Sequence, residues 1–307
     1  MDCGLRIQFY FVILCKQIVQ IMKKYLFILL ALFMTTTSFY AKKQVPVKVR
    51  WCTFNIRLQN GDDEKIGFGW SVRKDRVANY IKDNDIQIVG MQEVLHAQLE
   101  DLLARLPEYD YVGVGRTDGK TKGEYTPIFF LKKKFKCLEK GNFWLSETPE
   151  VPGSKGWDAA LERVASYAKL KDKKTGKVFM AVNTHFDHVG VTARRESAKL
   201  IMKKIQEIVG ERPAVVTGDF NVTEDDEAYK TMITNEFKMN DSYHMTTNNT
   251  GATYTWHQFC RLPLDKREKI DFIFITPSIK VSHTHIEEPN IEAMLTDHNP
   301  HWADLEF

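Results

Sequence analysis

From residue 45 onward the hydrophobic positions switch between two periods, two residues and about 3.6 residues. Residues 47–54 (VKVRWCTF) alternate apolar and polar side chains and predict a first strand. Residues 86–91 (IQIVGM) and 214–218 (AVVTG) are short apolar runs that predict buried strands. Residues 109–113, 128–131, 163–170, 178–184, 270–275 and 301–305 predict further strands, with a polar turn at 171–177 (KDKKTGK). Val72, Arg76, Val77 and Tyr80 fall at helical spacing behind Ser71, a suitable N-cap. Leu99, Leu102, Leu103 and Leu106 form one stripe of a helix over 96–106, and residues 194–209 predict a long amphipathic helix. No internal repeat, low-complexity segment or long Pro/Gly/Ser linker breaks the pattern. Strands outnumber helices, and hairpin-like turns join some of them. The expectation is one α/β (α+β) domain over residues 42–307, a mixed-sheet sandwich with outer helices.

The N-terminus reads differently. Lys23 and Lys24 precede an apolar run at 25–34 (YLFILLALFM), then small and hydroxylated residues at 35–38, then Ala41. This is the layout of a secretory signal peptide, although Phe39 stands where a small residue is preferred. The run is shorter than the ~20 residues a spanning helix needs, so no membrane span is expected in the mature chain. Met22 is the expected start, with residues 1–21 an upstream over-extension, so 1–41 is set aside as signal plus extension. The alternative is an anchor combining residues 9–14 with 25–34, but Lys16, Gln17, Gln20, Lys23 and Lys24 interrupt it. The expected destination is the periplasm or beyond.

Composition narrows the class. With 43% hydrophobic and 27% charged residues over 307 positions, wholesale disorder, a coiled coil and a collagen-like fibre are excluded. The formal charge of +3 hints at an acidic partner such as nucleic acid. Setting aside Arg6, Lys16, Lys23, Lys24 and Asp2 in the leader leaves 39 basic and 39 acidic residues, and the hint disappears. Cys3, Cys15, Cys52, Cys137 and Cys260 form no C-x-x-C pair, which disfavours a structural zinc site and a disulfide framework. The later three are expected to be small buried hydrophobes.

Chemistry concentrates at strand ends. Asn55 follows 51–54, Gln92 and Glu93 follow 88–91, Asn183 and His185 end 179–185, and Asp219 and Asn221 follow 215–218. Asp271 opens 271–274, and Asp297-His298 precede the last strand. A sheet rim holds side chains rigidly, so the repeated placement points to a catalytic rim. Oxygen donors from Glu93, Asp297, Asn55 and Asn221 suit Mg²⁺ or Mn²⁺. Two histidines, each held by an acid, suit phosphate-ester chemistry, where oxygens must be neutralised and water aligned. No G-x-S-x-G elbow, P-loop, H-E-x-x-H helix or post-strand G-x-G-x-x-G is present.

TFNIR (53–57), QEV (92–94), NTHFDH (183–188), GDFN (218–221), KIDFIF (269–274) and TDHNP (296–300) occur in that order. Together they resemble the endonuclease/exonuclease/phosphatase superfamily over about residues 45–307. GWSVRKDR (69–76), GEYTPIFF (123–130), FWLSETP (143–149) and PGSKGWDAA (152–160) resemble its exported bacterial members more closely. The resemblance implies a four-layer sandwich, two mixed β-sheets packed face to face with outer helices. It implies Glu93 as principal Mg²⁺ ligand, Asn55 as an amide near metal and scissile phosphate, and Asp297 at the metal. It implies Asp219 as the residue that aligns water, Asn221 as its companion, and His298 as a catalytic histidine held by Asp271. Glu124 is implied to orient His185, and Arg163 to contact phosphate. Thr296 stands where serine is more usual.

Arg57 either touches phosphate or pairs with an acid. Asp187 and His188 either extend the site or support it. Trp70, Trp144 and Trp157 either form a substrate wall or pack in the core. His96, His257, His283 and His285 are expected to have no catalytic role. The expected function is an exported Mg²⁺-dependent phosphoesterase using in-line attack by water, with no obligate protein partner. Its substrate is a lipid headgroup, an inositol or sugar phosphate, or nucleic acid. A secreted DNase-like nuclease is the alternative, and a non-catalytic binding module on the same fold is the rival of a different class. Lys132–134, 171–177 and 261–269 are the candidate basic clusters for nucleic acid.

Overall fold

The computed structural model describes residues 14, 16–28, 46–210, 212–234 and 237–307. The chain divides into two compact units, Met1–Val45 and Pro46–Phe307. In the first, residues 16–28 are helical. No helix among the described residues is long and apolar enough to cross a membrane. The end of the expected apolar run, the expected cleavage segment and residues 1–13 and 15 of the expected extension lie outside the described residues.

The second unit carries two mixed sheets. The first contains β1 (Lys48–Asn55), β2 (Ile88–Gln92), β3 (Tyr109–Val112), β4 (Ile128–Leu131), β10 (Asn249–Gly251), β12 (Lys280–Ile286) and β13 (His301–Glu306). Their order is β10-β12-β13-β1-β2-β4-β3. The second contains β5 (Phe135–Trp144), β6 (Val164–Asp172), β7 (Val178–His185), β8 (Ala214–Asp219), β9 (Asn240–Asp241) and β11 (Asp271–Ile275), in the order β5-β6-β7-β8-β11-β9. The helices are α1 (Gly61–Lys65), α2 (Trp70–Asp83), α3 (His96–Arg105), α4 (Val191–Val209) and α5 (Glu227–Thr234).

Strand periodicity sorts the core into layers. Trp51, Ile88, Phe179, Val215 and Ile273 meet in one apolar cluster between the sheets. The alternate residues Cys52, Phe54, Val89 and Met91 pack outward with Val77 and Ile81 of α2 and Leu99 and Leu102 of α3. On the other side Met180, Val182, Val216, Phe272 and Phe274 pack with Ile201 and Ile205 of α4 and Met232 of α5. The result is the four-layer sandwich the sequence implies.

Some local expectations are corrected. Gly69, not Ser71, is the N-cap of α2, and the Glu64 carboxylate accepts from the Ser71 amide (3.3 Å) and hydroxyl (2.7 Å). Val72 is exposed, whereas Arg73 is fully buried. The edge strand β5 (FKCLEKGNFW) escapes the hydrophobic pattern because its middle faces solvent. The short α1 and α5, and β9, β10 and β12, were likewise not expected. Cys52 is buried as expected, while Cys137 and Cys260 are only partly so.

Along the strands the inter-sheet layer turns from apolar to polar. Gln92 Nε2 donates to Asn183 Oδ1 (2.7 Å), Thr217 Oγ1 donates to the same oxygen (3.0 Å), and Asn183 Nδ2 donates to the Met91 carbonyl (2.6 Å). Gly90 is required here, because a Cβ would overlap Thr217 Oγ1 and the Asn183 amide. Immediately beyond this network lies the rim.

Candidate active site

Register builds the row of site residues. His185 on β7 and Asp271 on β11 both pair with Asp219 on the intervening β8. In the facing sheet Asn55 at the end of β1 pairs with Gln92 at the end of β2. Arg57 (φ 58°), Glu93 (φ 61°) and Asn221 (φ 51°) then turn left-handed just past their strands. Non-glycine residues avoid that region, so such turns mark backbone held in place by its surroundings.

Asp219 is 2% exposed and lies at the centre. Its oxygens accept from Asn55 Nδ2 (3.0 Å) and the Asn221 backbone amide (2.9 Å). His185 Nε2 (3.6 Å) and His298 Nε2 (3.8 Å) flank it. Burial, then the Asp271 charge, push Asp219 up to about 7. His298 Nδ1 bonds Asp271 Oδ2 at 2.8 Å. Burial disfavours the His298 cation, but Asp271, Asp219 and Asp297 outweigh it and raise the ring to about 10. His185 behaves oppositely. Burial and the charges of Arg163 and Arg116 hold it well below the ordinary histidine value. One histidine is therefore a cation at neutral pH and the other a neutral ring, a pairing suited to different tasks.

The expected Glu124–His185 hydrogen bond is not formed. Glu124 Oε2 stands 3.7 Å from His185 Nδ1, and both carboxylate oxygens pair with Arg116 at 2.8 Å. Arg116 presents two parallel N–H donors to the carboxylate, a stronger match than one ring nitrogen.

Glu93 and Asp297 converge from different loops. Arg57 Nη1 lies 3.9 Å from a carboxylate oxygen of each, while Arg57 Nε is anchored on Asp63 at 2.9 Å. Arg57 thus joins both of its expected settings, an acid partner and the cavity. Burial raises Asp297, with the Glu93 charge adding to it. Two buried carboxylates facing one cationic point form a hard-oxygen donor set, which fits Mg²⁺ or Mn²⁺. Asn55 links this pair to Asp219. Its Oδ1 accepts from the Arg57 amide (3.0 Å), and its Nδ2 donates to Glu93 Oε1 (3.1 Å). Asn55 therefore bridges the Glu93 and Asp219 carboxylates through Nδ2, and Oδ1, which accepts a single hydrogen bond, keeps a lone pair for a cation. Asp219, Asp271 and His298 also bring three potential donors together, but Asp271 already holds the His298 ring. In the separate group Glu224, Asp241 and His244, the Lys269 ammonium already pairs with Glu224 (2.8 Å) and Asp241 (2.9 Å).

Arg57, Glu93, His185, Asp219, Asp297 and His298 line one cavity of about 430 Å³. Arg163 lines it, with Nη2 on His188 Nδ1 (3.0 Å) and Nη1 without a partner. A guanidinium at the wall of such a cavity, with more donors than its protein partners use, suits a phosphate oxygen. Asp187 does not reach the cavity. It accepts from the amides of Ala160 (3.0 Å), Leu161 (3.1 Å), Val189 (3.0 Å) and Gly190 (2.7 Å), tying two loops together. Trp70 and Trp144 are core residues, and Trp157 does not line the cavity. His257 is buried behind the site, with Nδ1 accepting from the Cys260 amide (2.9 Å).

The aromatic wall is instead Trp256 and Phe259, which the sequence reading missed together with Gln258; Arg261, expected only as part of a basic cluster, joins them. Gln258 (φ 50°), Phe259 (φ 55°) and Cys260 (φ 61°) are successive left-handed residues. At about 1–2 kcal/mol each this backbone needs strong support. The His257 and Gln258 amides both donate to the Asp297 carbonyl (3.1 and 3.2 Å), and Phe259 stacks on Phe68 with centroids 5.0 Å apart. Arg73 was also missed. It donates to the carbonyls of Phe68 (2.6 Å), Ile56 (2.6 Å), Leu295 (3.0 Å) and Arg57 (3.2 Å), joining the loops that carry Arg57 and Asp297.

Residues 52–298 match the Endonuclease/Exonuclease/phosphatase family, a span holding every site residue from Asn55 to His298. The chain belongs to this family. Members of the family are hydrolases acting on phosphoesters and generally depend on a divalent metal. An endonuclease/exonuclease/phosphatase protein from Bacteroides vulgatus is 57% identical with a TM-score of 0.83, the match covering 85% of this chain and 99% of that one. A mannosyl-6-phosphatase from Bacteroides thetaiotaomicron is 39% identical with a TM-score of 0.78, covering 84% and 100%. The uncharacterized protein L388 of Acanthamoeba polyphaga mimivirus is 29% identical over 191 residues, 60% of this chain and 69% of that one.

Proposed function

We propose that this family member is an exported, Mg²⁺- or Mn²⁺-dependent phosphatase that releases phosphate from a sugar phosphate. The observation that carries the reading is the convergence of Arg163, His185 and His298 with Asp219 and Asn221 in one cavity. It is supported by 39% identity to a mannosyl-6-phosphatase along that enzyme's whole chain. Lys132–134 and 171–177 contribute no cavity-lining residue, and 261–269 contributes only Arg261, so a polyanion track is not favoured. The basic and apolar leader supports export.

Glu93 and Asp297 would hold the divalent cation, which when bound polarises a phosphoryl oxygen. Arg163 and the His298 cation engage the phosphoryl oxygens and fix the ester for attack. Asp219, kept in place by Asn55 and the Asn221 amide, orients a water molecule and accepts its proton. As the water oxygen bonds to phosphorus, the ester oxygen departs and takes a proton from His298. Neutral His185 offers a further hydrogen bond beside Asp219.

The test is hydrolysis of hexose 6-phosphates, inositol phosphates, sphingomyelin, DNA and RNA with Mg²⁺, Mn²⁺ or EDTA, read as phosphate release for the monoesters and as cleavage products for the diesters. The reading requires EDTA-sensitive release from a hexose phosphate. Turnover confined to nucleic acid or to a phospholipid would overturn it. N-terminal sequencing of the protein from periplasmic and culture fractions tests export.

A further inference from the structure

The cavity has more wall than phosphate chemistry needs. Besides the charged groups around Asp219 and the Glu93–Asp297 pair, its lining includes Trp256, Gln258, Phe259 and Arg261 from one loop. Phe259 is 6% exposed and backed by Phe68, so it serves as the base of this wall. Trp256 is partly open to the cavity, and Gln258 is exposed at it. An indole beside an amide matches a hydroxylated ring, with stacking for the C–H face and hydrogen bonds for the hydroxyls.

The wall is locked by main chain to the Asp297–His298 segment. Trp256 forms a β-bridge with His298, and the next two amides donate to the Asp297 carbonyl. The His257 ring closes the loop by accepting from the Cys260 amide. A ring resting on Trp256 is therefore held at a fixed offset from the residues that handle its phosphate. That arrangement rewards a rigid leaving group one bond or two from the ester and does nothing for a small or floppy one.

We propose that the 256–261 loop is a sugar subsite, in which Trp256 stacks on the pyranose ring of a hexose phosphate and Gln258 binds its hydroxyls. The inference rests on the sugar-phosphatase reading above and adds the residues that select the sugar. Trp256 and Gln258 are specificity residues.

The experiment compares kcat/KM for mannose 6-phosphate with kcat/KM for glycerol 3-phosphate, a small acyclic ester, in wild type, Trp256→Ala, Trp256→Phe and Gln258→Ala, each checked for its thermal midpoint. The expected result is a fall in the hexose-to-glycerol ratio of about tenfold or more for Trp256→Ala, seen largely in KM, and a smaller fall for Gln258→Ala. Trp256→Phe should recover much of the ratio. If Trp256→Ala does not fold, Gln258→Ala decides, since its side chain is exposed and its removal leaves the loop bonds in place. A ratio unchanged within about twofold overturns the subsite, whether or not both rates fall together. A wild-type enzyme that hydrolyses glycerol 3-phosphate but no hexose phosphate also overturns it, along with the choice of sugar. No metal-dependent turnover of either ester overturns the phosphatase reading itself.

Discussion

Replacing Asp271 by Asn preserves shape at the 2.8 Å contact to His298 Nδ1 and removes one buried charge. His298 rises from 6.5 to about 10 because Asp271, ahead of Asp219 and Asp297, more than offsets the burial of the ring. That rise corresponds to about 5 kcal/mol in favour of the protonated ring, at 1.36 kcal/mol per unit. If Asp271 supplies half of it, Asp271→Asn lowers His298 by about 2 units, near 3 kcal/mol. The same change acts on Asp219, which burial and then Asp271 hold up at about 7. Removing the Asp271 charge makes Asp219 easier to ionise, so it too falls. Both limbs of the pH–rate profile therefore move the same way. The acid limb, set by Asp219 losing its proton, shifts below 7, and the alkaline limb, set by His298 losing its own, moves down from about 10 towards 8.

The assay is kcat/KM for an aryl phosphate from about pH 5 to about pH 11 at fixed free Mg²⁺. Histidine Cε1–H NMR titration of the protein in EDTA provides the independent measurement. An alkaline limb that stays in place, with His298 titrating within about half a unit of wild type, would refute the reasoning. So would limbs that move in opposite directions.

Glu93→Ala should lower turnover by at least about 10³-fold and abolish Mn²⁺ binding in calorimetry, with circular dichroism unchanged. Arg73→Met strips donors from the carbonyls of Ile56, Arg57, Phe68 and Leu295, so urea denaturation should show a loss of about 3–5 kcal/mol. His301 is fully buried with neither ring nitrogen hydrogen-bonded, and burial lowers it from 6.5 to about 4. The unfolded chain takes up that proton first, so the contribution of the neutral ring is complete above pH 6.5 and is lost as pH falls towards 4, by up to about 3 kcal/mol. His301→Phe should flatten the urea midpoint across that window, and an unchanged slope would reject the assignment.

What was legible in the sequence follows from where the physics is local. A strand interior is read from its apolar run, and a polar residue at its end stands out against that run. Asn55, Glu93, His185, Asp219, Asp271 and His298 all stand out in this way, and the mixed-sheet sandwich followed from the number of strands and their turns, while its four layers were implied by the family resemblance. Arg73 was hidden because its donors meet carbonyls that are distant in sequence, such as Leu295. A fully buried arginine without a carboxylate partner reads as a surface charge on a helix. The 256–261 loop was hidden for a different reason. Its left-handed turn uses Gln258, Phe259 and Cys260, where glycine or asparagine would have announced it. Contacts distant in sequence, among them the bonds to the Asp297 carbonyl and the bridge to His298, bring it to the site.

The two sheets divide the chemistry between them. The first contributes Asn55 and Glu93 from β1 and β2, and the second contributes His185, Asp219 and Asp271 from β7, β8 and β11. The groups expected to hold a cation and the group expected to orient water therefore belong to different layers. Their separation is set by whatever registers one sheet on the other. An apolar interface alone would tolerate a small slip, since burial is nearly indifferent to direction. Hydrogen bonds are directional, and the fully buried Asn183 joins β7 to Gln92 of the facing sheet and to the Met91 carbonyl. Asn55–Asp219 and His298–Asp271 cross the same boundary at 3.0 and 2.8 Å. The buried polar layer thus acts on catalysis without touching substrate, by holding Glu93 and Asp219 at one spacing.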